Sequence, residues 1–356
     1  MDPTPSSLCP HFGVCGGCLW QDLDGKTYLA RKRDLVTAAL KHHDVHAEVA
    51  EVEPIAPFSR RRASLKAEKR AGKVAIGFHG RASHTLVDMR ACQILEPGLF
   101  DCVAGLRERL GRVLRNGDKI ELYLAACANG IDLALRGPLA HSPTVTAEFA
   151  RWATLLGVVR ITLNGRLALL MSTPRLAIAR VWIEPPPEVF LQPTRAGEER
   201  LQHLVSDGLG KARRIADLFS GCGTFTYVAA ERASVHAVDS DRAALEALAD
   251  GVRHGQGLKP VTCEVRNLAK LPLAAMELNR FDGVVLDPPR SGALAQIESL
   301  AASKLKRVVY VSCNPASFAR DARRLVASGF AIGLVQPVDQ FLWSDHIETV
   351  TVFTRP

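Results

Sequence analysis

Arg214-Ile215-Ala216-Asp217-Leu218-Phe219-Ser220-Gly221-Cys222-Gly223-Thr224-Phe225 is a strand-like apolar run that breaks into glycines. Glycines at a strand-to-helix turn let the backbone approach a ligand closely and expose the amides of a helix N-terminus. Without the third glycine of the dinucleotide fingerprint, a nicotinamide reading is weak. Asp239 closes the next strand-like run, Val235-His236-Ala237-Val238-Asp239, about twenty residues on, where an acid accepts hydrogen bonds from ribose hydroxyls. Turn glycines with a capping Asp fit any α/β domain. Strand, glycine loop, strand and acid in this order favour a nucleoside cofactor.

Outward from this loop the chain alternates. Strand-like segments at Val261–Val265, Phe281–Leu286 and Val308–Val311 are separated by amphipathic, Ala-rich stretches, and Gly197–Leu209 is helix-like. That rhythm predicts a largely parallel sheet with helices on both faces, an α/β domain. Ala331–Val335 and Glu348–Thr354 have no long helix between them, so the last pair should be antiparallel. Asp287-Pro288-Pro289-Arg290 follows one buried strand and fixes a carboxylate at the sheet edge, although an Asp there also suits a helix cap. Lys306-Arg307 and the run Val308–Val311 carry Ser312-Cys313-Asn314-Pro315 to the same edge, where open α/β folds bind ligands. Cys313 is a candidate nucleophile, and Glu348, in His346-Ile347-Glu348, offers a separate base. A buried structural thiol is the plainer alternative for Cys313.

The 356 residues exceed a single core, and no apolar run reaches the ~20 residues of a bilayer span. The N-terminal run lacks a basic start and an apolar core, so a cytoplasmic protein with reduced thiols is expected. The net charge of +8 favours an acidic partner such as nucleic acid, and nine Lys and Arg fall between Phe58 and Arg90. Three zones are expected: residues 1–44, holding Cys9, Cys15 and Cys18; residues 45–187, β-rich and read as an antiparallel sheet, ending at the stiff Pro185-Pro186-Pro187; and residues 188–356, the α/β domain. Cys9, Cys15 and Cys18, with Cys92 as the best fourth ligand, suit an iron–sulfur cluster or tetrahedral zinc. Cys102, Cys127 and Cys263 read as structural, and His42, His43 and His46 as a solvated helix end.

Taken together these motifs resemble the RNA uracil-5-methyltransferases over nearly the whole chain. The resemblance is carried by Cys9, Cys15, Gly16, Gly17, Cys18 and Gln21, by Cys92-Gln93-Ile94-Leu95, by Phe190-Leu191-Gln192, and by the Asp217–Phe225, Asp239, Asp287–Arg290, Ser312–Pro315 and His346–Glu348 motifs. It implies a class I (Rossmann-like) S-adenosylmethionine-dependent methyltransferase domain behind a β-rich central domain and an N-terminal cluster segment. It further implies Cys313 as nucleophile, Glu348 as base, and Gln192, Phe219, Asp239 and Asp287 as contacts to S-adenosylmethionine, with Asp287 also near the uracil. Likeness to the 23S rRNA branch implies a [4Fe–4S] cluster on Cys9, Cys15, Cys18 and Cys92, a monomer, and an RNA partner presenting a single-stranded or flipped uridine. Many relatives begin with a small β-barrel (TRAM) domain, which this sequence lacks ahead of Cys9. Phe341-Leu342 stands where Phe-Pro is usual, Asp239 where Glu is usual, and Pro193-Thr194 follows Gln192 where Asn often sits. A tRNA uridine-5 enzyme, a cytosine-5 RNA methyltransferase, a radical enzyme using S-adenosylmethionine and a non-catalytic RNA-binding iron–sulfur protein are the other readings.

Overall fold

The structure, a computed structural model, describes residues 8–356; the first seven residues of the expected N-terminal segment lie outside it. The chain opens with α1 (Gly25–His42) and a two-residue strand, β1 (Glu53–Pro54). A central unit follows: β2 (Arg62–Arg70), β3 (Lys73–Gly77), α2 (Pro97–Val113), β4 (Lys119–Cys127), β5 (Gly130–Arg136), α3 (Pro143–Leu156), β6 (Val158–Leu163) and β7 (Arg166–Leu170). A hairpin, β8 (Leu176–Ile178) and β9 (Val181–Ile183), leads into α4 (Arg195–Leu209). Strands and helices then alternate through β10 (Arg214–Leu218), α5 (Thr226–Ala230), β11 (Ser234–Asp239), α6 (Arg242–His254), β12 (Val261–Val265), α7 (Ala275–Leu278) and β13 (Gly283–Leu286). The remainder is α8 (Leu294–Ala302), β14 (Arg307–Ser312), α9 (Pro315–Ala327), β15 (Ala331–Ile332), β16 (Gln336–Asp339) and β17 (Glu348–Thr354).

The large sheet runs β1-β16-β17-β14-β13-β10-β11-β12, with β15 also on β17. From β14 to β12 all strands are parallel, so the ends of β10, β11, β13 and β14 share one edge. Their sequences are nearly continuous apolar runs because both faces are covered by helices. The order reverses at β10, which pairs with β11 on one side and β13 on the other, and this switch point opens the crevice in which such folds bind ligands. β17 runs antiparallel to β15, as expected of the last pair, and also antiparallel to β14, with Thr349 opposite Ser312. Glu348, at the start of β17, therefore reaches the edge at which β14 ends. Caps fix the helix starts at that edge: Asp241 accepts from Ala243 N at 3.0 Å, and Asn314 accepts from Ala316 N at 3.1 Å with Pro315 in the first turn.

The structure redraws the expected zones. Val36 and Leu40 of α1, with Val45, Val49 and Val52, join the same core as Leu218, Leu286 and Phe318, and β1 pairs with β16. The α1 segment is thus packed on the α/β domain rather than forming a separate piece. At the other junction, Leu176, Ile178, Val181 and Ile183 of the β8–β9 hairpin pack on Tyr227, Leu245 and Leu248, so this hairpin, lying before the triple proline, belongs to the α/β core. The central sheet, β3-β2-β4-β5-β6-β7, is mixed: α3 crosses over and makes β5 and β6 parallel. The Ala331–Val335 segment keeps only two strand residues, and the longer β16 follows it.

A buried polar joint locks α1 to the loop after β16. Lys32 and Asp339 are fully buried and paired at 2.6 Å; Lys32 also donates to the carbonyls of Phe341 (3.0 Å) and His346 (2.5 Å), and the Tyr28 hydroxyl donates to Asp339. Removing one partner of a buried pair strands the other. Lys32→Met should therefore cost about 3–5 kcal/mol, measured by urea denaturation against the parent. No helix among the described residues is long and apolar enough to cross a membrane.

Candidate active site

Cys313 is half-buried at the tip of β14, and Glu348 is buried with 2% exposure at the start of β17. Burial pushes Glu348 up to about 7 against the opposing hydrogen bond from Gln340 and the positive charge of Arg62. Burial likewise raises the Cys313 thiol to about 12, helped by the negative charges of Glu348 and Asp287 and opposed by Arg290. Asp287 is held well above the usual carboxylate range by burial and by Glu348 and Asp217, against a hydrogen bond from Gln192. The thiol thus lies within the field of Glu348 and Asp287, and Asp287 within that of Glu348.

A chain of amides joins the two acids. Gln340 Nε2 donates to Glu348 Oε2 at 2.9 Å and to Gln192 Oε1 at 2.8 Å, and Gln192 Nε2 donates to Asp287 Oδ2 at 3.1 Å. Gln192 is itself held by Arg61, whose Nε donates to its carbonyl at 3.0 Å and whose Nη2 pairs with Glu198 at 2.6 Å. Arg62 stacks on Phe190, 4.5 Å from the ring centroid, and the Asn314 side chain donates to Arg290 O at 2.8 Å, tying the turns after β13 and β14 together.

The glycine loop adjoins this cluster. Phe219 takes a left-handed backbone (φ +66°), and its N–H and that of Ser220 donate to Val238 O at 2.9 and 3.2 Å. Asp239 accepts from Gly221 N at 2.9 Å and from Asp241 N at 2.8 Å. A Cβ at Gly223 would lie 2.8 Å from the Tyr227 ring, whereas the space around Gly221 is open. Asp217 is fully buried and pushed up to about 7 by burial, with one oxygen bonded to Thr226 at 2.5 Å. Its other oxygen and Ser220 Oγ are buried without a partner. Open space at Gly221 and orphaned buried polar atoms fit a polar nucleoside ligand.

At the N-terminus Cys9, Cys15, Cys18 and Cys92 line one cavity, with Gln21, Arg60, Phe78 and Met89 in its wall. Cys18 is raised to about 12 by burial and then by Cys92, Cys15 and Cys9, so these sulfurs are close enough to repel as thiolates. Among the described residues, no group of three or more His, Cys, Asp and Glu is set to hold a metal ion. The segment is fastened to the fold by Gly16 N on His79 O (3.0 Å) and by Leu19 N and Trp20 N on Trp343 O (2.6 and 3.2 Å).

Two site residues escaped sequence reading. Gln340 is an isolated polar residue in a loop, and Arg62 sits in a basic run read as a phosphate-binding surface. That run divides on folding: Arg61 is buried, Lys69 donates to the carbonyls of Gly111 and Leu114, and Arg70, Lys73, Arg81 and Arg90 remain exposed. Cys102 is buried, Cys127 half-buried and Cys263 exposed; Leu342, the departure from Phe-Pro, is buried with Tyr28 and Trp343.

The profile of the tRNA (uracil-5-)-methyltransferase family matches residues 256–355. A Brucella suis protein described as an uncharacterized RNA methyltransferase is 41% identical over 352 residues, covering 98% of this chain and 84% of that one. The 23S rRNA (uracil(1939)-C(5))-methyltransferase of Chromohalobacter salexigens is 31% identical over 98% of this chain and 76% of its own length. In fold, the Pyrococcus abyssi tRNA (uracil-54, C5)-methyltransferase, solved with S-adenosyl-L-homocysteine, superposes with a TM-score of 0.74 at 22% identity, covering 95% of this chain and 86% of that one. The chain therefore belongs to the RNA uracil-5-methyltransferase family and is an enzyme of that class.

Proposed function

We propose that this enzyme methylates uracil C5 in 23S rRNA to give 5-methyluridine, using Cys313 as nucleophile and Glu348 as base. The observation that carries the reading is the antiparallel pairing that sets Glu348 beside the Cys313 turn, at the edge where the glycine loop opens. Uracil C5 is a poor nucleophile until something adds at C6. The Cys313 sulfur bonds to C6 and converts the ring to an enolate, so that C5 can take a methyl group. S-adenosylmethionine supplies that group as an electrophilic sulfonium methyl, and Gln192, Phe219, Asp239 and Asp287 are the residues to hold it. Glu348 then takes the C5 proton, the C5–C6 double bond re-forms and the thiolate leaves.

The central unit, with Lys73 and Arg81 exposed on it, is the RNA-binding part, and the enzyme acts as a monomer on a flipped or unpaired uridine. Cys9, Cys15, Cys18 and Cys92 line one cavity, and these four sulfurs would hold a [4Fe–4S] cluster as a structural staple. Anaerobically purified protein should be brown with absorbance near ~400 nm; a colourless protein carrying zinc would replace iron by zinc in this reading.

Mass spectrometry of nucleosides from a deletion strain tests the substrate. A 5-methyluridine missing from 23S rRNA is the expected result. Loss from tRNA instead selects the tRNA alternative, and in vitro transfer to a cytidine transcript selects the cytosine-5 one.

A further inference from the structure

We propose that Gln340 is the positioning residue of this site, holding Glu348 and Gln192 in one arrangement by donating both hydrogens of a single buried amide to them. The inference rests on the reading of Glu348 as base. Gln340 is 2% exposed, and its two donor contacts, 2.8 and 2.9 Å, use the whole donor capacity of its nitrogen. Gln340 turns its nitrogen to Glu348 and Gln192 turns its own to Asp287, so that each acid accepts from an amide. Gln192 Oε1 then faces Gln340, which donates to it.

The nitrogen of that amide is bonded on both hydrogens while its oxygen is buried without a partner, and the side chain is confined by packing. Gln340 follows Asp339, itself clamped by Lys32 and Tyr28 from α1. On the other side, the first turn of α4 holds Gly197, where a Cβ would stand 2.7 Å from Gln340 Oε1 and 2.9 Å from its Cβ. Only a residue without a side chain lets α4 pass. The charged and titratable groups around Glu348 are Arg62 from β2, Asp287 after β13 and Cys313 after β14. Of these only Arg62 favours the ionised base, so the Gln340 bond is the main local counterweight to burial.

The test is the pH dependence of adduct decay in a single turnover, measured with the metal-loaded full chain, RNA and S-adenosylmethionine. Gln340→Met keeps shape and removes the donor. The midpoint of the acid limb should rise by about one to two pH units, the worth of one hydrogen bond to a charged group, while adduct formation continues. Gly197→Ala is the second probe: its Cβ would press on Gln340 and on Thr194 Oγ1, so a purely structural role predicts lower stability with an unmoved acid limb. Pressure on the Gln340 amide should instead move the limb upward, by less than in Gln340→Met. Unchanged midpoints in the variants that form adduct would overturn the inference, as would loss of adduct formation in both. If Glu348→Gln turns over normally, the base reading itself fails. If Glu348→Gln traps RNA while Gln340→Met and Gly197→Ala keep the parent profile, only the role of Gln340 is lost.

Discussion

Cys313→Ala should abolish methyl incorporation into RNA, with single-turnover transfer falling by on the order of 10⁴-fold or more. The size follows from the chemistry: without addition at C6 the ring offers C5 no electron density, and no neighbouring side chain substitutes for the sulfur. The effect should be confined to chemistry, because Cys313 sits at the end of β14 and outside the hydrophobic clusters. RNA affinity and thermal stability should stay near the parent values. Cys313→Ser is the sharper comparison, since it keeps a hydroxyl of similar size that ionises far less readily. Parent-level incorporation by the serine variant would sink covalent catalysis here. The raised thiol pKa adds a detail. Burial and the negative charges of Glu348 and Asp287 disfavour the Cys313 thiolate, and on the proposed reading bound substrates would have to offset them.

Glu348→Gln should have the opposite signature. Addition and methyl transfer precede the step that needs the base, so methylated RNA should remain bonded to Cys313. Denaturing gels should show a protein–RNA band that persists, with release slowed by about 10²–10⁴-fold. In the parent, Glu348 works as a base only when ionised. Its pKa is raised to about 7, so release should slow as pH falls through 7 and level off above it. Normal turnover without a trapped band in Glu348→Gln would assign the proton to another acceptor.

Much of this was readable before any coordinates. Strands β10, β13 and β14 are covered on both faces, which forces continuous apolar runs, and their ends are marked by Gly221, Pro288 and Pro315. The placement of Cys313, Asp287 and the glycine loop on one edge follows from that pattern. Other parts left no local trace. Pro337 disguises β16, since a strand proline is tolerated only where no ladder hydrogen bond is lost; β1 pairs Val338 and Asp339 and leaves Pro337 aside. An amphipathic helix shows that it buries a face but not which core receives it, so α1 could not be assigned to the α/β domain. Gln340 and Arg62 acquire meaning only when segments far apart in sequence converge.

The joint between Lys32 and Asp339 spans 307 positions of sequence. A nascent polypeptide therefore carries its first helix through synthesis of almost everything else before that lysine finds its counter-ion. Contacts of such range are closed late in folding. On the proposed reading of Glu348 as base, removal of the C5 proton is thereby withheld from incomplete translation products until residues 339–348 have emerged and docked.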